Sequence, residues 1–459
     1  MRALKMRELA ALVVARVSSR ASRSTGAGSG SALPGLLAQR IHPGIVAGLA
    51  KRIPNGIILV TGTNGKTTTS MLITRALELS GHRVVSNSSG SNMLRGIASS
   101  LCERSSLFGD GIDGDIAVLE VDEATMPELT RHVSPRMIVV TNLFRDQLDR
   151  FGGVGGAASL IAEAIRLSPD ASILLNADDP LVASLGRHAR NAAYFGVSSD
   201  YRGLVADTGE SGECVDCGHE LTYSQRYYSH LGSYECAGCG RKRPELDVSL
   251  HDVRLGPDSS TATIGTDHPQ RITIGMPGMF NAYNAIAAIA AAERLDVDRE
   301  VVKHTIASTS PAFGRLETVF IGSKKITLLL VKNPAGFNQS MEALTLGRRR
   351  GAVMVGINDN VADGTDVSWL WDVNFEDARE LFGRASVTGR RADDLLARFR
   401  EAGVDMDVGD VEHGIARAFE SAVAKLNGCE TLDVFCNYTA MLELRKHLSS
   451  KGHVRGPMV

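Results

Sequence analysis

A chain of 459 residues is long enough for two or three domains, each with its own core. Hydrophobic residues make up 43% and charged residues 22%, and the formal net charge is −2, so the whole-chain balance draws it neither to nucleic acid nor to an anionic membrane. No stretch approaches the roughly 18 apolar residues of a membrane helix, and seven cysteines, four of them in two tight pairs, fit metal binding better than a disulfide framework.

Residues 1–42 read as a basic N-terminal segment with a flexible linker. Within it, 1–23 has the pattern of a short basic amphipathic helix, open either to a solvated tail or to a membrane-surface contact. The Ser/Gly stretch 22–31 reads as the linker, and the apolar run 9–15 is too short for a secretory signal. From residue 43 strands and helices alternate: strand 57–60, helix 67–79, and strands 116–121, 137–141 and 173–176. This rhythm predicts a mostly parallel sheet with helices on both faces. Residues 201–245, rich in Cys, Gly, Tyr and charge, read as an inserted module. Strands 246–255, 261–264 and 271–274 and the alanine-rich helix 282–293 complete a first domain over 43–313. A second, smaller α/β domain follows over 314–459, with strands 326–331, 352–357, 385–388 and 432–436 and helices 392–402, 411–424 and 439–448.

The first strand runs into Thr61-Gly62-Thr63-Asn64-Gly65-Lys66-Thr67-Thr68, which opens a helix. A loop in that place aims backbone N–H groups at an anion, and the helix dipole adds to the attraction. Gly62 and Gly65 let the backbone approach phosphate oxygens. Lys66 brings a charge to the β/γ-phosphates, and Thr67 brings a hydroxyl to Mg²⁺. The pattern predicts ATP and Mg²⁺ as cofactors. Cys214-x-x-Cys217 and Cys236-x-x-Cys239 are separated by residues 218–235, and each pair is followed by a glycine, Gly218 or Gly240. Four thiolates at this spacing make a closed tetrahedral Zn²⁺ site with no open position, hence structural rather than catalytic. The tyrosines at 223, 227, 228 and 234 are expected in a local core or a partner contact before base stacking.

The short Gly-x-x-Gly-Lys-Thr loop resembles that of the Mur ligase and folylpolyglutamate synthase superfamily. The resemblance implies a magnesium-binding carboxylate in Leu119-Glu120-Val121-Asp122-Glu123, assigned to Glu120 with Glu123 as the fallback. It implies an adenine contact at Asn281 and an ATP-phosphate contact at Arg315, and it covers Asn176-Ala177-Asp178-Asp179-Pro180 as well. Three positions depart from the pattern. Gln147 stands where the family places a metal-binding histidine, Ser159 lies where amino-acid-adding members carry a carbamylated lysine, and Lys332-Asn333-Pro334 replaces an acidic approach to Asn-Pro.

A Cys₄ ribbon within such an ATPase, together with Asp359-Asn360-Val361-Ala362-Asp363 and Lys332-Asn333-Pro334-Ala335-Gly336, resembles the MurT family, the ATP-using subunits of lipid II isoglutaminyl synthase. The resemblance implies amidation of the D-glutamate α-carboxylate of the lipid II stem peptide through an acyl phosphate. Ammonia would come from a separate GatD-like glutaminase in a heterodimer. Cys102, Cys429 and Cys436 lie in no glutaminase elbow and read as core thiols, which is why another chain is expected to supply the nucleophile. An aspartate of the Asp359–Asp363 stretch would complete that partner's triad, and the sequence does not choose between the two. Either Trp369 or Trp371 could anchor the partner or fill the core. The alternatives are a self-contained amino-acid ligase like folylpolyglutamate synthase and a nucleic-acid-binding zinc-ribbon ATPase. No nucleic acid is expected, and the location expected is the cytoplasm, with at most peripheral contact at the inner face of the membrane.

Overall fold

The computed structural model describes residues 2–25, 32–87, 91–107, 111–144, 154–201, 212–265, 269–310, 315–347, 351–426 and 430–454. Eleven strands precede residue 275. They are β1 (Ile57–Thr61), β2 (Val84–Ser86), β3 (Ile116–Glu120), β4 (Met137–Val140), β5 (Ser172–Asn176), β6 (Ala192–Val197), β7 (Leu221–Tyr228), β8 (Leu231–Cys236), β9 (Val248–Leu255), β10 (Ser260–Ile264) and β11 (Gln270–Ile274). Nine of them form one sheet in the order β11-β10-β9-β6-β5-β4-β1-β3-β2, and β7 and β8 pair separately. From β2 to β9 neighbours are parallel, while β9, β10 and β11 are antiparallel.

Both faces of this sheet are covered, which is why β1, β3 and β4 read as unbroken apolar runs. On β1, Ile58 and Val60 enter one core with the helices Lys66–Leu79 and Met279–Glu293. Ile57 and Leu59 enter a second core on the other face, with the helices Leu94–Arg104 and Val154–Arg166.

A six-stranded sheet follows, built of β12 (Arg315–Ile321), β13 (Lys324–Leu330), β14 (Gly351–Gly356), β15 (Ala385–Thr388), β16 (Val411–Glu412) and β17 (Thr431–Cys436), in the order β12-β13-β17-β14-β15-β16. All its pairs are parallel except β12 with β13. Its core contains an aromatic cluster in which Phe337 stacks on Phe435 with centroids 4.7 Å apart and Phe375 packs against Phe382 and Phe399. The architecture is α/β: a mostly parallel nine-stranded sheet domain, a cysteine-bearing hairpin within it, and a smaller α/β unit after it.

Two expectations change. The segment before residue 42 is not a loose tail. Helix Arg2–Thr25 extends through the start of the supposed linker and buries Ala11, Leu12 and Ala15 in the second core against the helices Leu33–Ile41 and Leu94–Arg104. Small residues on that face let the helices approach closely, and the Arg16 guanidinium donates to the Ser105 carbonyl. The rest of the linker, 26–31, is outside the described residues. The stretch 411–424 is not one helix: β16 pairs with β15, and only Ile415–Ala424, after Gly414, is helical. Within the inserted module 201–245, Tyr227, Tyr228 and Leu231 are buried in the first core. Among the described residues no helix is long and apolar enough to cross a membrane.

Candidate active site and metal centre

The loop between β1 and its helix owes its shape to two glycines in the left-handed region. Gly62 has φ +123° and Gly65 has φ +84°. A Cβ on Gly62 would stand 2.3 Å from Thr141 Oγ1, and one on Gly65 would stand 2.1 Å from Asn284 Oδ1, so both positions exclude a side chain. The loop is held from outside. Asn142 accepts from the Asn64 N–H at 2.9 Å, Thr141 Oγ1 donates to the Asn64 carbonyl at 2.7 Å, and the Phe144 N–H donates to Thr63 Oγ1 at 3.0 Å. Asn281 lies beneath the loop. Its amide donates to the Pro277 carbonyl and accepts from Asn284, which in turn meets Thr69, so here it braces the loop's floor.

Lys66 is only 8% exposed. Its ammonium donates to the Gly62 carbonyl at 2.5 Å and pairs with Glu123 at 3.1 Å. Burial works against the charge, but Glu123, Glu120 and Asp122 more than offset it, so the pKa is raised and Lys66 stays cationic. Thr67 Oγ1 donates to Glu120 Oε2 at 2.6 Å, while Asn87 fixes the Glu120 backbone through two hydrogen bonds of 2.8 Å. The two acidic residues considered for magnesium are thereby separated: Glu120 faces the hydroxyl, and Glu123 faces the lysine. A hydroxyl and a carboxylate at a helix N-terminus are the hard oxygen donors that suit Mg²⁺.

The second domain closes onto the same loop. Lys332, just past β13, donates to the Thr63 carbonyl at 2.9 Å, and Asn333 Nδ2 donates to Asn64 Oδ1 at 3.2 Å while its own Oδ1 caps the helix Pro334–Leu346. Lys332 carried no assigned role in the reading of the residues. Its place at the carboxyl end of a parallel strand, directly before a helix start, was the available signal. Arg315 opens β12, but its side chain is outside the described residues, as are Gln147 and Cys429. Ser159 is on the helix Val154–Arg166, its hydroxyl donating to the Gly155 carbonyl. Cys102 and Cys436 are buried, and burial pushes both thiols up to about 12, as befits inert core residues.

The loop after β14 carries the paired aspartates. Asp363 accepts from both the Thr439 N–H, at 2.8 Å, and the Thr439 hydroxyl, and so anchors the start of the helix Tyr438–Ser450. Asp359 pairs instead with Arg390 Nε at 2.6 Å and Arg391 Nε at 3.0 Å, and the Arg390 hydrogen bond leads in holding its carboxyl below the usual range. Between them Val361 is 93% exposed. Trp371 is partly exposed and donates to Glu401, whereas Trp369 leans on the second domain's core.

The four paired cysteines converge, with Sγ atoms all within 4.8 Å of one another. A tetrahedral Zn–S distance of about 2.3 Å implies sulfur separations of about 3.8 Å, and the pairs Cys214–Cys239 and Cys217–Cys236 stand at 3.6 and 3.4 Å. The two knuckles share one backbone design. The Gly218 and Gly240 N–H groups donate to the Cys214 and Cys236 carbonyls, and both glycines are left-handed, with φ near +73° and +74°. The set fits a structural Zn²⁺.

The hairpin's other end is docked on the Asn176–Pro180 segment. Arg243 pairs with Asp178 at 2.8 Å, the Gly232 N–H donates to the Asp178 carbonyl, and His230 pairs with Asp179 at 3.3 Å. Burial raises the Asp178 pKa even against Arg243, the Val197 N–H and the Tyr283 hydroxyl. Asp179 also accepts from the Leu143 N–H at 2.7 Å, and His230 packs edge-on to Phe144, the residue bonded to Thr63. The tyrosines behave as core: Tyr227, Tyr228 and Tyr234 are buried.

Comparison with known proteins agrees with this architecture. Residues 60–214 match the Mur ligase middle domain, and residues 330–441 match the MurT ligase C-terminal domain. The chain is 37% identical over 437 residues, 94% of its length and 95% of the relative's, to the MurT subunit of the glutamine-hydrolysing lipid II isoglutaminyl synthase of Streptococcus pneumoniae. The chain belongs to the MurT family. The Staphylococcus aureus (strain COL) MurT subunit is 32% identical, with 97% of this chain and 98% of that protein covered. Solved Mur-type ligases share the fold: a pseudomurein peptide ligase of Methanothermus fervidus has TM-score 0.66 and 21% identity over 88% of this chain and 80% of its own, and MurF of Acinetobacter baumannii has 0.65 and 17% over 91% and 80%. As a MurT family member the chain is an ATP-using carbon–nitrogen ligase.

Proposed function

We propose that this chain is the ATP-using subunit of a lipid II isoglutaminyl synthase, converting the α-carboxylate of a D-glutamyl residue to its amide with ammonia from a separate glutaminase chain. The observation that carries the reading is the convergence of Lys66, Thr67 and Glu120 in a loop closed by Lys332, in a chain aligned end to end with MurT subunits. A carboxylate is a poor acyl donor, and transfer of the ATP γ-phosphoryl group to its oxygen turns that oxygen into a leaving group. The resulting acyl phosphate is attacked by ammonia at the carbonyl carbon, and phosphate departs. Lys66, already cationic and buried, balances charge on the transferring group, and the N–H groups from Gly65 to Thr68 at the helix start bind the phosphates. Thr67 and Glu120 would hold Mg²⁺, which supplies charge neutralisation at the phosphates. The resemblance assigns Arg315 to ATP phosphate and Asn281 to adenine; the Asn281 amide is engaged with Pro277 and Asn284, which supports a part in bracing the loop's floor. The working division of the chain is at residue 314, with the phosphate loop before it and the paired aspartates after it.

Within the paired aspartates, geometry favours Asp359 as the residue that completes the glutaminase triad. Both carboxylates have both oxygens engaged, but Asp363 is tied to the N–H and hydroxyl of Thr439 at a helix start, whereas Asp359 is held by the side chains of Arg390 and Arg391, and that of Arg390 is largely exposed and free to re-pair. The test is lipid II amidation with glutamine and with ammonium as nitrogen source. Asp359→Asn should lose most glutamine-dependent activity and keep ammonium-dependent activity. Full glutamine-dependent activity in that variant would remove the trans-triad assignment, and failure with both nitrogen sources would assign Asp359 to the fold.

A further inference from the structure

We propose that the outer face of the helix Arg2–Thr25 is a docking surface for an anionic membrane. The helix has two apolar faces. Its inner one, Ala11, Leu12 and Ala15, is spent on the core. At 100° per residue, Met6, Leu9, Val13 and Val17 fall together on the opposite side. They are exposed by 72, 40, 41 and 60%, and Leu33 on the adjoining helix is exposed by 49%. Twelve large apolar side chains are exposed among the described residues. These five lie within the first 33 positions, and the other seven are scattered from Leu79 to Tyr438. Scattered exposed apolar residues are ordinary, but a continuous stripe along one helix marks a surface that is covered in use.

Charge selects what covers it. The segment 1–23 holds six basic residues and one acid, in a chain whose net charge is −2. The acid, Glu8, is turned inward to Arg52 and is neutralised there. Arg16 is likewise turned inward, to the Ser105 carbonyl, whereas Arg20 is exposed within the stripe and Arg7 is exposed on the flank of the helix, so the solvent side is apolar and positive. A convex helix of that character lies in a membrane interface, with the apolar side chains at the acyl boundary and the guanidinium groups at anionic headgroups. Nucleic acid would use the charge and have no use for the stripe. A second copy of the chain would gain little, since four or five side chains fall well short of the roughly 800 Å² per partner of a stable interface. The inference stands apart from the proposed reaction, because it concerns bulk anionic lipid and not a lipid-linked substrate.

The experiment is co-sedimentation of the full chain, in complex with its glutaminase where that is needed for solubility, with vesicles lacking lipid II. Binding should be weak to phosphatidylcholine and clear to vesicles with about 30% phosphatidylglycerol, and it should fall as ionic strength rises from about 0.1 to about 0.5 M. Val13→Glu with Val17→Glu should reduce partitioning about tenfold, and Arg7→Glu with Arg20→Glu by a comparable factor. ATP turnover in solution should be unchanged in both. A milder probe guards against misfolding: Val13→Trp should show a blue-shifted emission relative to the parent on adding the anionic vesicles. Absence of that shift, or binding that the substitutions do not alter, overturns the proposal. So does a self-associating or glutaminase-binding chain in which the Val13/Val17 pair of changes abolishes that association, because the stripe then belongs to a protein.

Discussion

The loop after β1 and the loop after β14 occupy equivalent places, each at the carboxyl end of a parallel strand in the middle of its sheet, yet they are built for different visitors. The first is gripped on every side. Thr141, Asn142 and Phe144 fix its backbone, Asn284 fills the space under Gly65, and its cation is buried against Glu123. The second is held by side chains alone on its outer rim, Asp359 to two arginines and Asn360 and Asp363 to Thr439, with Val361 between them in full solvent. A pocket for a small anion must hold its donors still before the ligand arrives. A surface for a protein must present groups outward and tolerate re-pairing. The same strand-end position serves both, and burial decides which.

The sharpest way to break this contrast is Lys66→Ala. Loss of the buried cation should cut ATP turnover by about a hundredfold or more, and because Glu123 is left buried without its partner the urea midpoint should fall as well; near-normal ADP release would undo the reading of the first loop. The next effect in size comes from the glycine. Gly65→Ala combines a left-handed φ with a clash against Asn284, and should cost about 1–3 kcal/mol in chemical denaturation. Val361→Asp, at the matching place in the second loop, should change stability by less than about 0.5 kcal/mol and yet weaken glutaminase association in a pull-down or titration. If the two substitutions cost the same, the loops are not distinguished by burial. The smallest effect is in pH. The Asp359 carboxyl lies below its usual 3.8, mainly through Arg390, so its contribution is present above that value and is lost as pH falls through the lower folded value. The stability difference between the parent and Asp359→Asn should therefore shrink only below about pH 4; a difference that is flat with pH would show that the arginine contacts contribute nothing.

Much of this was legible in the residues. Strands buried on both faces announce themselves as apolar runs, and Thr61–Thr68 carries its chemistry in its spacing. What stayed hidden was of two kinds. The three-residue strand Val84–Ser86 is too short to show a period, and the seam at Gly414 interrupts a helical pattern that looks continuous. The other kind is non-local. The contact between Lys332 and the Thr63 carbonyl spans 269 residues, and nothing around either residue encodes the other. The N-terminal helix was legible over 1–23, but its packing into the core was not. Its alanines look too small to anchor anything, until they are seen admitting a neighbouring helix.

The cysteine hairpin is a lever with its fulcrum in the enzyme. Its thiol end is partly open to solvent, while its far end reaches Asp179 through His230, and from there Leu143, Phe144 and the hydroxyl of Thr63. A chain of contacts therefore runs from the site where the four thiols would hold zinc to the phosphate loop. Stripping the protein with a chelator should raise the KM for ATP before the sheet melts, and zinc should restore it. An unchanged KM in the metal-depleted protein would cut the lever. In a cell starved of zinc, such an enzyme would slow for want of an ion that never meets its substrates.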